Sequence, residues 1–228
     1  MIYRTEHIGP HTLHLGDAYE ILPTLGRYDA LVADPQYLFE TSGGGFFRKD
    51  RKNMDDIEDE GLNQGFNQAI INPLLYSSAV IFCHNDQLHT LLPYLAGCYQ
   101  RYCLCAWAKD NPMPVANKHY IPELEPYIHA WSAGAHPQGD LTDKKRIWRG
   151  PNGKSVFDHP TVKPLDLMKK IMRNVNGETI IDPFMGTGTT GVAAAVSGKI
   201  FTGIEHKEKY FNIAVQRIKE AANNDKIQ

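Results

Sequence analysis

Short apolar runs that end on acidic residues alternate along the chain with segments whose apolar positions recur every three or four residues. The runs 28–33 (YDALVA), 178–182 (ETIID) and 199–204 (KIFTGI) read as strands, each ending on an acidic residue or running directly into one. Two more fit 79–83 (AVIFC) and 102–107 (YCLCAW), the latter leading into the turn Asn111-Pro112-Met113-Pro114. Helical spacing covers 164–174, 188–197 and 208–222. Strands alternating with helices predict an α/β domain. In open α/β sheets ligands bind beyond the carboxyl ends of the strands, and Asp34, Asp182 and Glu205 each stand at such an end, so one crevice is predicted to hold all three.

The stretch 111–158 breaks this rhythm, being rich in Pro, Gly, His and charge, and reads as a lobe inserted into a single domain spanning 1–228. No apolar run approaches the roughly 18–20 residues that cross a membrane, and the start MIYRTEHIGPHTLHLGD lacks a secretory pattern, so a cytoplasmic location is expected. Cys83, Cys98, Cys103 and Cys105 lie among apolar or aromatic residues without paired CxxC spacing, and read as reduced core residues rather than metal ligands. A formal net charge of −2 does not announce a nucleic-acid partner. Basic residues nevertheless cluster locally, at Arg48, Lys49, Arg51 and at Lys144, Lys145, Arg146, Arg149.

Two short phrases carry chemistry. The first, Asp182-Pro183-Phe184-Met185-Gly186-Thr187-Gly188-Thr189-Thr190-Gly191, lies between a predicted strand and a predicted helix and contains GxGxxG. Glu205 ends the next strand, where a carboxylate can hold ribose hydroxyls. The same spacing serves a dinucleotide, so a nicotinamide-dependent oxidoreductase fits this phrase taken alone. The second, Asp34-Pro35-Gln36-Tyr37, follows the strand YDALVA, and alone it is an ordinary turn with proline in second position.

Together the phrases point to a family. DPFMGTGTTG resembles the S-adenosylmethionine-binding motif of the amino-methylating DNA methyltransferases in their β arrangement, and DPQY resembles their DPPY catalytic motif in three of four positions, in the expected chain order. Leu15-Gly16-Asp17 and His159-Pro160-Thr161-Val162-Lys163-Pro164 match further family segments. The resemblance implies a Rossmann-like S-adenosylmethionine-dependent methyltransferase fold with a mostly parallel sheet flanked by helices. It also implies methyl transfer to adenine N6 of double-stranded DNA, with cytosine N4 as the close alternative and a catalytically silent DNA-binding relative as another.

On this resemblance Asp34, Pro35 and Tyr37 are catalytic. Asp17, Thr161, Lys163, Asp182, Phe184, Gly186, Gly188 and Glu205 bind S-adenosylmethionine. The two basic clusters flank the site and suit phosphate contact, and the 111–158 lobe is the target-recognition element. Gln36 departs from the family pattern by replacing a rigid proline. The resemblance leaves open a homodimer and an accompanying cognate restriction nuclease.

Overall fold

The structure, a computed structural model, describes residues 1–37, 65–112, 120–152 and 162–224. The described strands are β1 (Ile2–Ile8), β2 (His11–Gly16), β3 (Tyr28–Ala33), β4 (Tyr76–Phe82), β5 (Arg101–Lys109), β6 (Leu124–Trp131), β7 (Ile147–Gly150), β8 (Thr179–Asp182) and β9 (Ile200–Glu205). The described α-helices are α1 (Ala18–Ile21), α2 (Leu88–Cys98), α3 (Leu165–Asn174), α4 (Thr189–Ala195) and α5 (Glu208–Asn224). All strands join one sheet in the order β1-β2-β9-β8-β3-β4-β6-β5-β7. Most pairs are parallel, while β1 and β6 run against their neighbours.

The strand β3 illustrates why its sequence is apolar without alternation. Ala30 and Val32 enter the core packed by α3, α4 and α5, whereas Leu31 and Ala33 enter the core packed by α2 on the other face. Both faces are covered, so neither can be polar. The helix α3 has the complementary pattern: Leu167, Met168, Ile171 and Met172 are buried against the sheet and Asp166 and Arg173 are exposed.

The chain leaves β3 for β4 on one side and leaves the adjacent β8 for β9 on the other. That divergence opens a crevice at the carboxyl edge of the sheet, where α/β folds bind ligands. Register sets what faces it. Asp182 pairs with Gly203, so Glu205 stands two residues further along β9, and Leu15 pairs with Glu205, so Asp17 follows in the same staircase.

The segment 111–158 enters the sheet instead of standing apart from it as a lobe. Its described residues supply β6, hydrogen-bonded between β4 and β5, and the edge strand β7. The physical reason is the run Tyr127 to Ala130, in which Tyr127 enters one core and Ile128 and Ala130 enter the other. Pro126 is tolerated there because its carbonyl accepts the Cys83 N–H at 3.1 Å, so its missing donor also faces β4, where that strand has ended.

Candidate active site

A cavity of about 330 Å³ opens at the carboxyl edge, and Asp17, Asp34, Pro35, Tyr37, Lys163, Asp182, Phe184, Gly186 and Glu205 all line it. Asp17 is also the N-cap of α1, its carboxylate accepting the Tyr19 and Glu20 N–H groups at 2.7 and 3.3 Å. Asp182 is 1% exposed and accepts the Phe184 N–H at 2.9 Å. Burial pushes its carboxyl up to about 7 despite that bond and one from Thr190. Glu205 accepts the Gly186 N–H at 3.0 Å and the Lys207 N–H at 2.7 Å, and burial raises it as well. The Phe184 ring meets Tyr19 and Phe66 edge-on, with centroids 6.2 and 6.4 Å away.

The glycines divide by role. Gly186, at φ 51°, lines the cavity and offers its N–H to Glu205. Gly188 does not line it. It caps α4 at φ 83°, and a Cβ there would stand 2.8 Å from Ala214 Cβ. At Gly191 a Cβ would stand 2.4 Å from Ile218 Cδ1 and 2.7 Å from Phe201 Cε1, so this glycine lets α4 seat against α5 and β9.

The turn after β3 carries a dense polar network. The Tyr37 hydroxyl lies 2.9 Å from Asp34 Oδ1 and 3.0 Å from Glu125 Oε1, with one proton to donate between them. Lys163 donates to Asp34 Oδ2 and, at 2.9 Å, to Glu125 Oε1; Lys109 holds Glu125 Oε2 at 2.8 Å. Burial alone would push Glu125 up, but Lys163 and Lys109 outweigh it and bring it down to about 2. Burial likewise opposes the charge on Lys163, and the two carboxylates reverse that, holding the ammonium protonated. Burial raises the Asp34 carboxyl while Lys163 pulls it back. Two cations facing two carboxylates leave this buried group balanced in charge.

The DNA methylase family matches residues 104–216 of the chain. The type II methyltransferase M.HinfI of Haemophilus influenzae is 38% identical over 94% of this chain and 70% of its own length. M2.LlaDCHI of Lactococcus lactis subsp. cremoris is 38% identical over 90% and 88%. The chain belongs to this DNA methylase family. Among solved structures, the complex of M1.HpyAVI with S-adenosylmethionine superposes on the methylase with a TM-score of 0.63 at 26% identity, covering 90% of this chain and 98% of that one. The cytosine-N4-specific PvuII DNA methyltransferase reaches a TM-score of 0.67 over 99% and 96% at 13% identity, a likeness of fold alone.

The methylase is therefore an S-adenosylmethionine-dependent enzyme of DNA methylation. The cavity fits that cofactor. Buried carboxyl groups at Asp182 and Glu205 beside the Gly186 turn suit a ligand that carries hydroxyl and amino groups for them to bond.

Two residues of the methylase network escape the sequence pattern: Glu125, between Leu124 and Pro126, and Lys109, the last residue of β5. Glu125 reaches the site because β6 runs antiparallel, which brings its amino end to the edge where the other strands end. Trp107 is buried and its indole N–H donates to the Gly150 carbonyl at 3.1 Å, a core role.

The basic residues of the methylase separate. Arg149 is exposed, paired with Ala108 near the carboxyl end of β5. Lys144 and Lys145 lie in a turn whose neighbour Asp143 binds Arg173 at 2.9 Å and Asn174 at 3.1 Å. That places them by the far end of α3, roughly 15 Å along the helix from Lys163. Arg146 begins the return, its carbonyl accepting the Ala106 N–H at 2.9 Å. Arg48, Lys49, Arg51 and Thr161 lie outside the described residues.

Proposed function

We propose that the methylase transfers a methyl group to adenine N6 of double-stranded DNA, on a base turned out of the duplex. The observation that carries this reading is the shared cavity: the Asp34-Pro35 acceptors and the Asp182-Glu205 carboxylates line one space, so amine and cofactor can meet without either leaving its wall.

S-adenosylmethionine, when bound, supplies a methyl group already activated by its sulfonium. Glu205, Asp182, Phe184 and the Gly186 turn, which line the cavity with Asp17, would hold it. Asp34 and the Pro35 carbonyl accept the two hydrogens of the target amine, whose lone pair is otherwise delocalised into the ring. Acceptors fixed in that geometry favour a pyramidal nitrogen with its lone pair aimed at the methyl carbon. As the nitrogen–carbon bond forms and the carbon–sulfur bond breaks, the Asp34 carboxylate stabilises the positive charge growing on nitrogen, and it is the nearest base for the proton then shed. The Tyr37 ring stacks on the base. No enzyme thiol is needed, and the chain has no Pro-Cys pair of the kind that serves ring-carbon methylation.

Aspartate at position 34 supports adenine over cytosine, since relatives acting on cytosine N4 often carry serine there. The motif order, catalytic phrase first, supports the β arrangement. Gln36 lines the cavity beside Pro35 and leaves both acceptors in place. Target recognition belongs to the 111–158 segment of this single-domain enzyme, with Arg149, beside Ala108 at the carboxyl end of β5, the described member of the basic clusters nearest the site in register.

Asp34→Ala is expected to lower single-turnover methyl transfer to adenine-containing duplex on the order of 10²–10³-fold or more while S-adenosylmethionine still binds. Radiolabelled methyl incorporation measures it, and an Asp34→Ala enzyme of undiminished rate contradicts the mechanism. Gln36→Pro in the same assay is expected to stay active.

A further inference from the structure

Asp34 in its resting state is already engaged. Its Oδ1 accepts from Tyr37 and its Oδ2 from Lys163. An amine arriving at Asp34 competes with these two donors for its oxygens, and a buried hydroxyl or ammonium displaced without a new partner is costly. Glu125 Oε1 lies 3.0 Å from the Tyr37 hydroxyl and 2.9 Å from Lys163 Nζ, the same two donors. Moving the tyrosine proton from one carboxylate to the other needs only rotation about the C–O bond, because 2.9 and 3.0 Å are equivalent hydrogen-bond lengths. Lys109 pins the other oxygen of Glu125 and keeps Oε1 turned to the site.

We propose that Glu125 is a positioning residue for methyl transfer: it takes over the Tyr37 hydroxyl and the Lys163 ammonium when Asp34 turns to the target amine. Asp34 is then free to accept the amino hydrogens without stranding either donor. The negative charge of Glu125 matters as much as its reach, since without it Asp34 is left as the only described carboxylate paired with Lys163 and is held more tightly away from substrate. The inference rests on the reading of Asp34 as the amine acceptor.

The test is single-turnover methyl transfer by full-length enzyme at saturating DNA and S-adenosylmethionine, with cofactor affinity measured alongside. Glu125→Gln keeps the shape and removes the charge. It is expected to lower the rate constant about 10- to 100-fold and to leave the S-adenosylmethionine Kd within about twofold. In a Lys163→Met background, where the competing ammonium is gone, the same substitution is expected to cost less than about threefold, as an effect exerted through that ammonium requires. A wild-type rate for Glu125→Gln, or an equal loss in both backgrounds, overturns the proposal. Should Glu125→Gln fail to fold, Lys109→Met unpins the same carboxylate and carries the same expectation and the same contradiction. An Asp34→Ala arm separates the two readings: if it is inactive while Glu125→Gln runs at full rate, only the role of Glu125 falls, and if it is active, the reading of Asp34 falls.

Discussion

Asp182 and Glu125 are both buried carboxylates, and their surroundings drive them in opposite directions. Burial raises Asp182 from 3.8 to about 7, whereas Lys163 and Lys109 overcome burial at Glu125 and take it from 4.5 to about 2. Folded Asp182 binds its proton more tightly than the unfolded chain does, so its contribution to stability grows as pH falls from about 7 towards 4. The contribution of Glu125 is complete above 4.5 and is lost as pH falls through about 2. Burial lowers His129 to about 4, which works against Asp182 over the same range, so the informative quantity is a difference. The Tm of the cofactor-free methylase minus that of Asp182→Asn is predicted to rise by several degrees between pH 7 and pH 4.5. A difference that stays flat across that window contradicts a neutralised Asp182.

Among the elements, α4 is the one most tightly specified by small residues. Gly191→Ala would press a methyl group into Ile218 and Phe201, and overpacking of this kind costs about 1–3 kcal/mol. A Tm lower by roughly 2–10 °C is expected, with cofactor affinity changed far less because Gly191 does not line the cavity. An unaltered Tm would contradict the packing role. The sequence made β3, β4, β8 and β9 legible because their apolar runs are covered on both faces, and β5 legible through its β-forming residues although Tyr102 and Leu104 are exposed; the acidic residues at strand ends already predicted that Asp34, Asp182 and Glu205 share a crevice. The remaining elements were hidden for physical reasons. The alternation of β1 is mostly exposed, and β2 is interrupted by His11 and His14, which are buried only because Phe201 N–H and Thr5 Oγ1 satisfy them. Pro93 sits inside α2 and Pro126 inside β6. Glu125 is invisible to any rule that looks to carboxyl ends, since it occupies the amino end of an antiparallel strand.

At the scale of the whole molecule, the candidate site lies at one edge of the sheet, and a chain of net charge −2 must meet DNA through local positive charge there. Arg149→Ala is predicted to weaken duplex binding and to reduce the slope of log affinity against log salt by about one. Lys144→Ala with Lys145→Ala, at the far end of α3, is predicted to leave that slope nearly unchanged, and binding titrations at several salt concentrations distinguish the two. What that edge does to DNA is tested most directly by mass spectrometry of nucleosides from duplex DNA incubated with S-adenosylmethionine and either the methylase or its Asp34→Ala variant. N6-methyladenine with the parent enzyme and none with the variant is the predicted result; N4-methylcytosine in its place, or equal N6-methyladenine from both proteins, would contradict the account.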